Sequence, residues 1–187
     1  NYFSPKSKER ALEMANNIKS ALAERISNAD WMCDSTKVKA LRKLENCRLK
    51  IGYPDNHWVD YTNFVMGDSY ATNILKCLSE YFKYEMSFIN QNIGLDLWYE
   101  ILPSTANMYY VYNQNEIIVP AAMLQPPMFY ANGDDAINYG AIGASIGHEL
   151  THGFDIQGQM FDEFGNLNDW WTDSDKLEFN RRAQNLI

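Results

Sequence analysis

Apolar residues recur every three or four positions through most of the first half of the chain, which is the spacing of one helix face. The first of these stripes follows Ser4 and Pro5, a pair that favours the start of a helix. Its apolar positions are Ala11, Met14, Ile18, Leu22 and Ile26. The pattern therefore predicts an amphipathic helix whose apolar face packs into a core.

A second helix is predicted to begin at Asp34 or Ser35, because either side chain can act as its N-cap. We expect Gly52, in a left-handed conformation, and Pro54 to end this helix. Its apolar face contains Ala40, Leu41, Leu44, Cys47 and Ile51. A third helix follows a polar loop over residues 53–68, and its face, also expected to pack into a core, contains Ala71, Ile74, Leu75, Leu78, Phe82 and Ile89.

The pattern changes near Leu102, where short β-prone runs replace the helical spacing. Residues 108–112 and 117–119 favour strands, and the polar residues 113–116 between them predict a hairpin turn. Together with the helices, this hairpin predicts a mainly α fold with a small β-hairpin or sheet, in the α+β class.

Two more helices are predicted in the last third of the chain. Asp134 and Asp135 can cap a helix over about residues 136–154, and Asp173 can cap a last helix that runs to the end. Three glycines are costly inside the first of these helices and predict the close approach of another backbone: Gly140, Gly143 and Gly147.

Composition and charge narrow the function classes. Of the 187 residues, 46% are hydrophobic and 21% are charged, so the chain can form a core and long disorder is not expected. With a net charge of −8 at pH 7, the protein is not suited to neutralising phosphates, and we expect no nucleic-acid partner. No apolar run approaches the length of a membrane span, so we expect no membrane contact by this segment.

The termini and the cysteines add two expectations. The chain begins with Asn1 rather than Met and ends at Ile187 within a predicted helix, so we expect a piece of a longer protein. The three cysteines fit neither a zinc spacing nor a disulfide framework, and an odd number cannot all pair within one chain. We therefore expect free thiols.

The candidate chemistry lies in the predicted helix over 136–154, which contains Gly-His-Glu-Leu-Thr-His at positions 147–152. His148 and His152 are four positions apart and so share one helix face, where both imidazoles can reach one Zn²⁺ with bonds of about 2.1 Å. Glu149 lies beside this pair, where it can take a proton from a metal-bound water and pass it to a leaving amine. The spacing therefore predicts a catalytic zinc site.

A chance match to the motif is disfavoured, because the motif falls on a segment that hydrophobic spacing independently predicts to be helical. His57 lies in a polar loop and is expected to be a surface residue. Zinc needs a third protein ligand. Asp155 is better placed to hold the other nitrogen of His152 than to bind metal, and the spacing leaves Asp162 and Glu163 open as ligands.

Residues 138–155 around this motif resemble the neprilysin and endothelin-converting-enzyme family of zinc endopeptidases, peptidase family M13. The resemblance extends to Val-Pro-Ala and Leu-Gln-Pro-Pro within 119–127, to Gly-Asn-Leu and Trp-Trp within 165–171, and to Ile-Gly-Tyr-Pro-Asp at 51–55. With Trp31-Met32 and Thr36-Lys37 it covers essentially the whole chain. It implies part of a zincin (thermolysin-like) catalytic domain with an HExxH active-site helix.

The resemblance implies a role for each residue of the motif. His148 and His152 would bind Zn²⁺, one ion per full-length enzyme, and Glu149 would be the catalytic base. Asp155 would hold the imidazole of His152 in place without binding the zinc itself. The family's third zinc ligand is a glutamate further along the chain, so it would lie beyond Ile187, and we expect this piece to bind zinc weakly or not at all.

The resemblance also implies a substrate site. Asn107 matches the family asparagine that binds the substrate backbone on an edge strand, and Met108 replaces the alanine that follows it in the family. Four residues match positions that line the pocket for the residue after the cleaved bond, with plain core packing as the alternative for each: Met123, Met128, Phe129 and Ser145.

The implied domains are the helical part of a cap domain with its linker over residues 1–66, and the N-terminal part of a zinc peptidase catalytic domain over 67–187. The expected function is a zinc metalloendopeptidase that cuts small peptides on the amino side of hydrophobic residues, although this piece alone would be inactive. A non-catalytic peptide-binding or structural homologue is the alternative, and a different zinc hydrolase class is a second. The compartment is undecided, with an extracytoplasmic location (periplasmic, or membrane-anchored with an outward catalytic domain) favoured over the cytoplasm.

Overall fold

A computed structural model describes residues 3–55, 64–91, 97–98 and 101–186. The chain divides into two compact units, one formed by Asn1–Tyr53 with Glu100–Ile187 and the other by Pro54–Tyr99. His57 lies outside the described residues, so its predicted surface position is not addressed. The predicted domain boundary between residues 66 and 67 stays a prediction.

Helix α1, Pro5–Ser27, begins where the sequence predicts. The Ser4 hydroxyl accepts a hydrogen bond from the Ser7 backbone N–H at 3.1 Å, and Pro5 occupies the first turn. Its buried residues are Ser7, Ala11, Met14, Ala15 and Ile26. The predicted apolar face of the first helix is therefore confirmed at its main positions, and Ile18 and Leu22 pack partly buried against the same core.

The second predicted helix is shorter than its apolar pattern suggests. Helix α2 covers Asp34–Asn46, and strand β1 covers Arg48–Gly52. The prediction of helix as far as Ile51 is wrong, because this segment pairs in parallel with a later strand. Gly52 does adopt the predicted left-handed conformation (φ 79°), but it ends a strand, and a Cβ there would lie 2.5 Å from Cε1 of Phe3.

The predicted hairpin is confirmed as strands β2, Tyr109–Val111, and β3, Glu116–Pro120. A short 3₁₀ turn and Asn115, at φ 49°, connect them. The three strands lie in the order β1–β3–β2, with β2 antiparallel to β3. Every residue of β3 is buried, and Glu116 at its start binds Lys50 of β1 at 2.8 Å. The central strand therefore anchors the sheet, and β2 forms one of its edges.

The predicted helix over 136–154 is a continuous helical run in three parts. Helix α4, Asp135–Asn138, leads into a π-helical turn over Tyr139–Gly143 and then into helix α5, Ala144–His152. The apolar positions of this run are fully buried: Ile142, Ile146 and Leu150. This buried face packs the run against α1 and the sheet.

The expected close backbone approach at the glycines of this run is wrong. A Cβ at Gly140 would meet nothing within 4 Å. At Gly143 and Gly147 the nearest atoms from another element belong to the Ile18 side chain of α1, at 3.5 and 3.7 Å. At Gly143 the backbone carbonyl oxygen of Asn138, which belongs to the same helical run, is nearer still at 3.3 Å, so among the described residues no backbone from outside this run borders these positions.

After α5 the chain forms a loop with a 3₁₀ turn, Gly158–Met160, and an isolated bridge between Phe161 and Leu167. Helix α6, Asp173–Ala183, follows, capped by Thr172 one residue before the predicted Asp173. All three cysteines are free. In the described part of the chain, no helix has both the length and the apolar character that crossing a membrane requires.

The smaller unit contains helix α3, Tyr70–Ser87. The helix forms as predicted, but none of its residues is buried; Leu75 is 68% exposed and Phe82 is 63% exposed. The expectation of core packing is therefore wrong for α3, because the described residues of this unit provide no second layer against which its apolar stripe can pack. The fold class predicted for the whole chain, mainly α with a small sheet, is confirmed.

Candidate metal centre

Helix α5, called here the metal-binding helix, brings together three side chains that could hold a metal ion, and these form the metal-binding group. The Nε2 atoms of His148 and His152 lie 3.1 Å apart, and the ligand atoms of His148, Glu149 and His152 all lie within 4.8 Å of one another. Two nitrogens bound to one tetrahedral Zn²⁺ at about 2.1 Å would lie about 3.4 Å apart. The observed spacing is close to this value, so the donor set fits a zinc ion.

Asp155 supports His152 from the side away from His148. Its Oδ2 lies 2.7 Å from Nδ1 of His152, and the Tyr112 hydroxyl donates to the same oxygen at 3.2 Å. Because a carboxylate is an acceptor, Nδ1 of His152 carries the proton and Nε2 presents its lone pair to a metal. The structure thus places Asp155 where the sequence predicts it, beside an imidazole and outside the metal-binding group.

The other oxygen of Asp155 is also occupied. Oδ1 accepts hydrogen bonds from the backbone N–H groups of Gln157 at 2.9 Å and Gly158 at 2.6 Å. Partial burial acts to raise the pKa of the Asp155 carboxyl, but the hydrogen bonds from His152, Gly158 and Tyr112 outweigh it and hold the pKa below its usual range. The carboxylate is therefore ionised and fixed at both oxygens.

The two alternative ligands left open by the sequence have other partners. Oδ1 of Asp162 accepts hydrogen bonds from the backbone N–H groups of Phe164 and Asn166, both at 2.9 Å, which closes the loop after α5. Glu163 forms an ion pair with Arg42 at 2.9 Å. Among the described residues, neither carboxylate joins the metal-binding group on α5.

Asn107, predicted to bind the substrate backbone, and Met108, the next residue of the predicted substrate site, are placed differently from one another. Asn107 is exposed just before the edge strand β2, and its Oδ1 accepts a hydrogen bond from the Met108 N–H at 2.9 Å. Met108 is 6% exposed and belongs to the hydrophobic core. β2 leads directly to Tyr112, whose ring centroid lies 6.4 Å from that of His152. The edge strand therefore ends beside the metal-binding group.

The four predicted pocket residues do not share one environment. Phe129 is 2% exposed and packs edge-on against Phe3, with ring centroids 6.5 Å apart, so its surroundings are those of a core residue. Met123, Met128 and Ser145 are half-buried. The backbone N–H of Ile142 donates to the Met128 carbonyl at 3.2 Å, which ties this loop to the helical run that carries the motif.

Two residues that sequence reasoning missed hold the loop before the metal-binding helix. Asn138, 1% exposed, bonds both the N–H and the carbonyl of Tyr130, at 2.8 and 2.9 Å. Arg10 of α1 donates to the carbonyls of Ala131 and Gly133, both at 2.6 Å. For Asn138, a polar residue on the buried face of an apolar helix was a signal in the sequence. Arg10 gave no such signal, because its partners lie more than a hundred residues away.

Comparison with known proteins agrees with this geometry. A family model described as Peptidase family M13 matches residues 107–187, and a second model with the same description matches residues 1–54. Mouse endothelin-converting enzyme-like 1 is 35% identical over 192 residues, covering 100% of this chain and 25% of that protein. Mouse membrane metallo-endopeptidase-like 1 is 34% identical over 194 residues, covering 99% of this chain and 25% of that protein.

Solved structures show the same likeness. The Mycobacterium tuberculosis zinc metalloprotease Zmp1, in its open state, superposes with a TM-score of 0.89 at 41% identity. The match covers 100% of this chain and 29% of that chain. The chain thus spans about a quarter of the length of the curated relatives it matches.

Proposed function

Because the chain belongs to peptidase family M13, we propose that the full-length protein is a zinc-dependent endopeptidase that hydrolyses peptide bonds in small peptides. One observation carries the proposal. The Nε2 atoms of His148 and His152 converge at 3.1 Å, Glu149 lies in the same group, and Asp155 holds the far nitrogen of His152. An imidazole pair with a flanking carboxylate is the donor set of a hydrolytic zinc site.

Each residue of the group has a separate task in this proposal. His148 and His152 would hold Zn²⁺, which when bound supplies Lewis-acid polarisation of a carbonyl and of a water. The Glu149 carboxylate takes a proton from the attacking water and passes it to the amine of the leaving peptide. Asp155 accepts a hydrogen bond from Nδ1 of His152, which fixes the turn of the imidazole and leaves Nε2 for the metal.

The edge strand β2 supports a mode of substrate binding. A peptide can extend a sheet by pairing with the backbone of an edge strand, and Asn107 is exposed at the start of β2. Cleavage on the amino side of hydrophobic residues requires an apolar pocket. The half-buried Met123, Met128 and Ser145 are the better candidates to line it, because Met108 and Phe129 are enclosed by the core.

The third zinc ligand is proposed to be the glutamate that the family resemblance implies further along the protein; within the described part of the chain, the metal-binding group contains His148, Glu149 and His152. We expect the isolated 187-residue chain to lack peptidase activity and to bind zinc weakly. Tight, stoichiometric zinc in a metal analysis of this chain would contradict that expectation. An extracytoplasmic location is proposed as well, supported by the relative named as a membrane metallo-endopeptidase.

The test is Glu149→Gln in the full-length protein. We expect zinc content to be kept and peptide hydrolysis to fall at least about 100-fold, since a positioned general base contributes about that much. The matched control is Glu163→Gln, because Glu163 pairs with Arg42 outside the metal-binding group, and it should keep its activity. Hydrolysis retained in Glu149→Gln would refute the role. A zinc-loaded wild type that binds peptides without cleaving them would favour the non-catalytic alternative.

A further inference from the structure

A buried lysine lies behind the metal centre. Lys43 of α2 is 1% exposed, and its Nζ donates hydrogen bonds to the carbonyls of Gly158 and Phe161, both at 2.6 Å. Three aromatic rings surround the ammonium with centroids 5.8 to 6.0 Å away: Tyr110, Phe154 and Trp170. An α2 side chain thus ends inside the loop that follows the metal-binding helix.

The ammonium of Lys43 is held without a direct ion pair. Among the described residues, no carboxylate lies within ion-pair distance of its Nζ, and burial lowers the pKa of Lys43 to about 8. Burying a charge that carbonyls and rings alone satisfy is costly. An ammonium group at this position binds the carbonyls of Gly158 and Phe161 at the same time, which a neutral apolar side chain of the same length would not do.

Gly158 connects the ammonium group of Lys43 to the proposed zinc ligand His152. Gly158 offers its carbonyl to Lys43 and its N–H to Oδ1 of Asp155, at 2.6 Å in both cases. The other oxygen of Asp155 lies 2.7 Å from Nδ1 of His152. The backbone of Gly158 packs closely on the end of the metal-binding helix, because a Cβ on this residue would lie only 2.0 Å from the His152 carbonyl oxygen.

We propose that Lys43 is a positioning residue for the zinc ligand His152, acting through Gly158 and Asp155. The proposal rests on the proposed zinc peptidase function. It assigns part of the metal site to α2, which precedes the metal-binding helix by about a hundred residues and lies in the region that the family resemblance implies to be part of a cap domain. Lys43 keeps the Asp155 carboxylate at the distance and angle at which it orients the imidazole.

The experiment compares two buried lysines in the full-length protein. Lys43→Met keeps the length of the side chain but removes both carbonyl contacts, and zinc affinity measured by competition with a chelator should fall about tenfold, the lower end for residues that support a metal ligand. Lys50→Met is the matched control. Lys50 is 8% exposed and pairs with Glu116 in the sheet, so its loss should lower thermal stability but leave zinc affinity within about twofold.

A double substitution separates positioning from general stabilisation of the core. If Lys43 acts through Asp155, then Lys43→Met should change zinc affinity less than about twofold when Asp155→Asn is already present. The cobalt-substituted protein should show the same pattern in its visible absorption bands, which report the geometry of the ligands. Full, additive weakening in the Asp155→Asn background would overturn the proposed route.

The outcomes distinguish this proposal from the function on which it rests. A wild-type protein that binds no zinc refutes the zinc peptidase function and this proposal together. A wild type that binds zinc with unchanged affinity in Lys43→Met overturns the positioning role alone. Should Lys43→Met not fold, Lys43→Gln keeps a donor amide group on a shorter side chain, and we expect a weakening of about threefold. Wild-type affinity in that variant would equally overturn the role.

Discussion

Gly158 is the position where one added methyl group should test the packing of the metal centre most directly. A Cβ there would lie 2.0 Å from the carbonyl oxygen of His152, and 2.5 and 2.6 Å from the carbonyl carbon and oxygen of Gly153. All three are backbone atoms at the end of the metal-binding helix. Because neither backbone can turn aside as a side chain can, Gly158→Ala must displace the loop or the last turn of the helix.

The magnitude follows from the number and kind of these contacts. Overpacking a well-filled site usually costs about 1–3 kcal/mol, and three backbone clashes place Gly158→Ala at about 3 kcal/mol, the upper end. Gly140→Ala is the matched control, because its Cβ would meet nothing within 4 Å. In a helical segment that control should be neutral or stabilising by up to about 1 kcal/mol.

Hydrogen exchange over residues 150–161 of the full-length protein, read by mass spectrometry, is the appropriate assay because it reports local opening. A loss of about 3 kcal/mol should speed exchange in this segment about 100-fold. Zinc affinity should weaken in parallel, since the displaced loop also carries Asp155. Equal exchange in Gly158→Ala and Gly140→Ala would refute the claim that this loop packs directly on the helix end.

Three further predictions concern the polar contacts around the site. Asn115→Ala should cost about 3 kcal/mol in chemical denaturation, since it removes bonds to the Lys43 and Glu163 carbonyls and to the Tyr110 hydroxyl; a cost below about 1 kcal/mol would contradict this. Arg10→Ala should lower the free energy of unfolding by about 1–2 kcal/mol and speed hydrogen exchange at residues 130–135, because it removes the bonds to the Ala131 and Gly133 carbonyls. Unchanged exchange would contradict the role of Arg10 in holding this loop. Because the pKa of Asp155 is lowered in the folded state, its carboxylate stabilises the fold at pH values above its ordinary pKa of 3.8. This contribution is lost as pH falls through the folded-state pKa. Asp155→Asn should therefore flatten the acid limb of a stability–pH curve, and an unaltered limb would refute it.

Features that depend on neighbours close in sequence could be predicted well. The cap at Ser4 joins residues three apart, and the metal-binding pair on α5 joins residues four apart. The geometry of a helix alone determines both spacings. The placement of Asp155 three residues after His152 is of the same kind, which is why its supporting contact could be expected before any tertiary structure was known.

Features that depend on distant partners could not be predicted. Residues 48–52 carry a pattern compatible with helix, but they form β1 because β3 offers a pairing edge 68 residues further on, at Glu116. Conversely, α3 has a clear apolar stripe, yet that stripe is exposed. Periodicity reports that one face is apolar and does not report whether another layer exists to cover it.

The sequence by itself thus determined the chemistry of this protein: two imidazoles and a carboxylate on one helix face, with an aspartate behind them, because all four lie within eight consecutive residues. Only the tertiary structure decided what holds that group in place. Lys43 reaches the loop after the helix across 115 residues of sequence, and Arg10 reaches the loop before it across 121. Contacts of this range arise only after the core has closed, so no local pattern marks them.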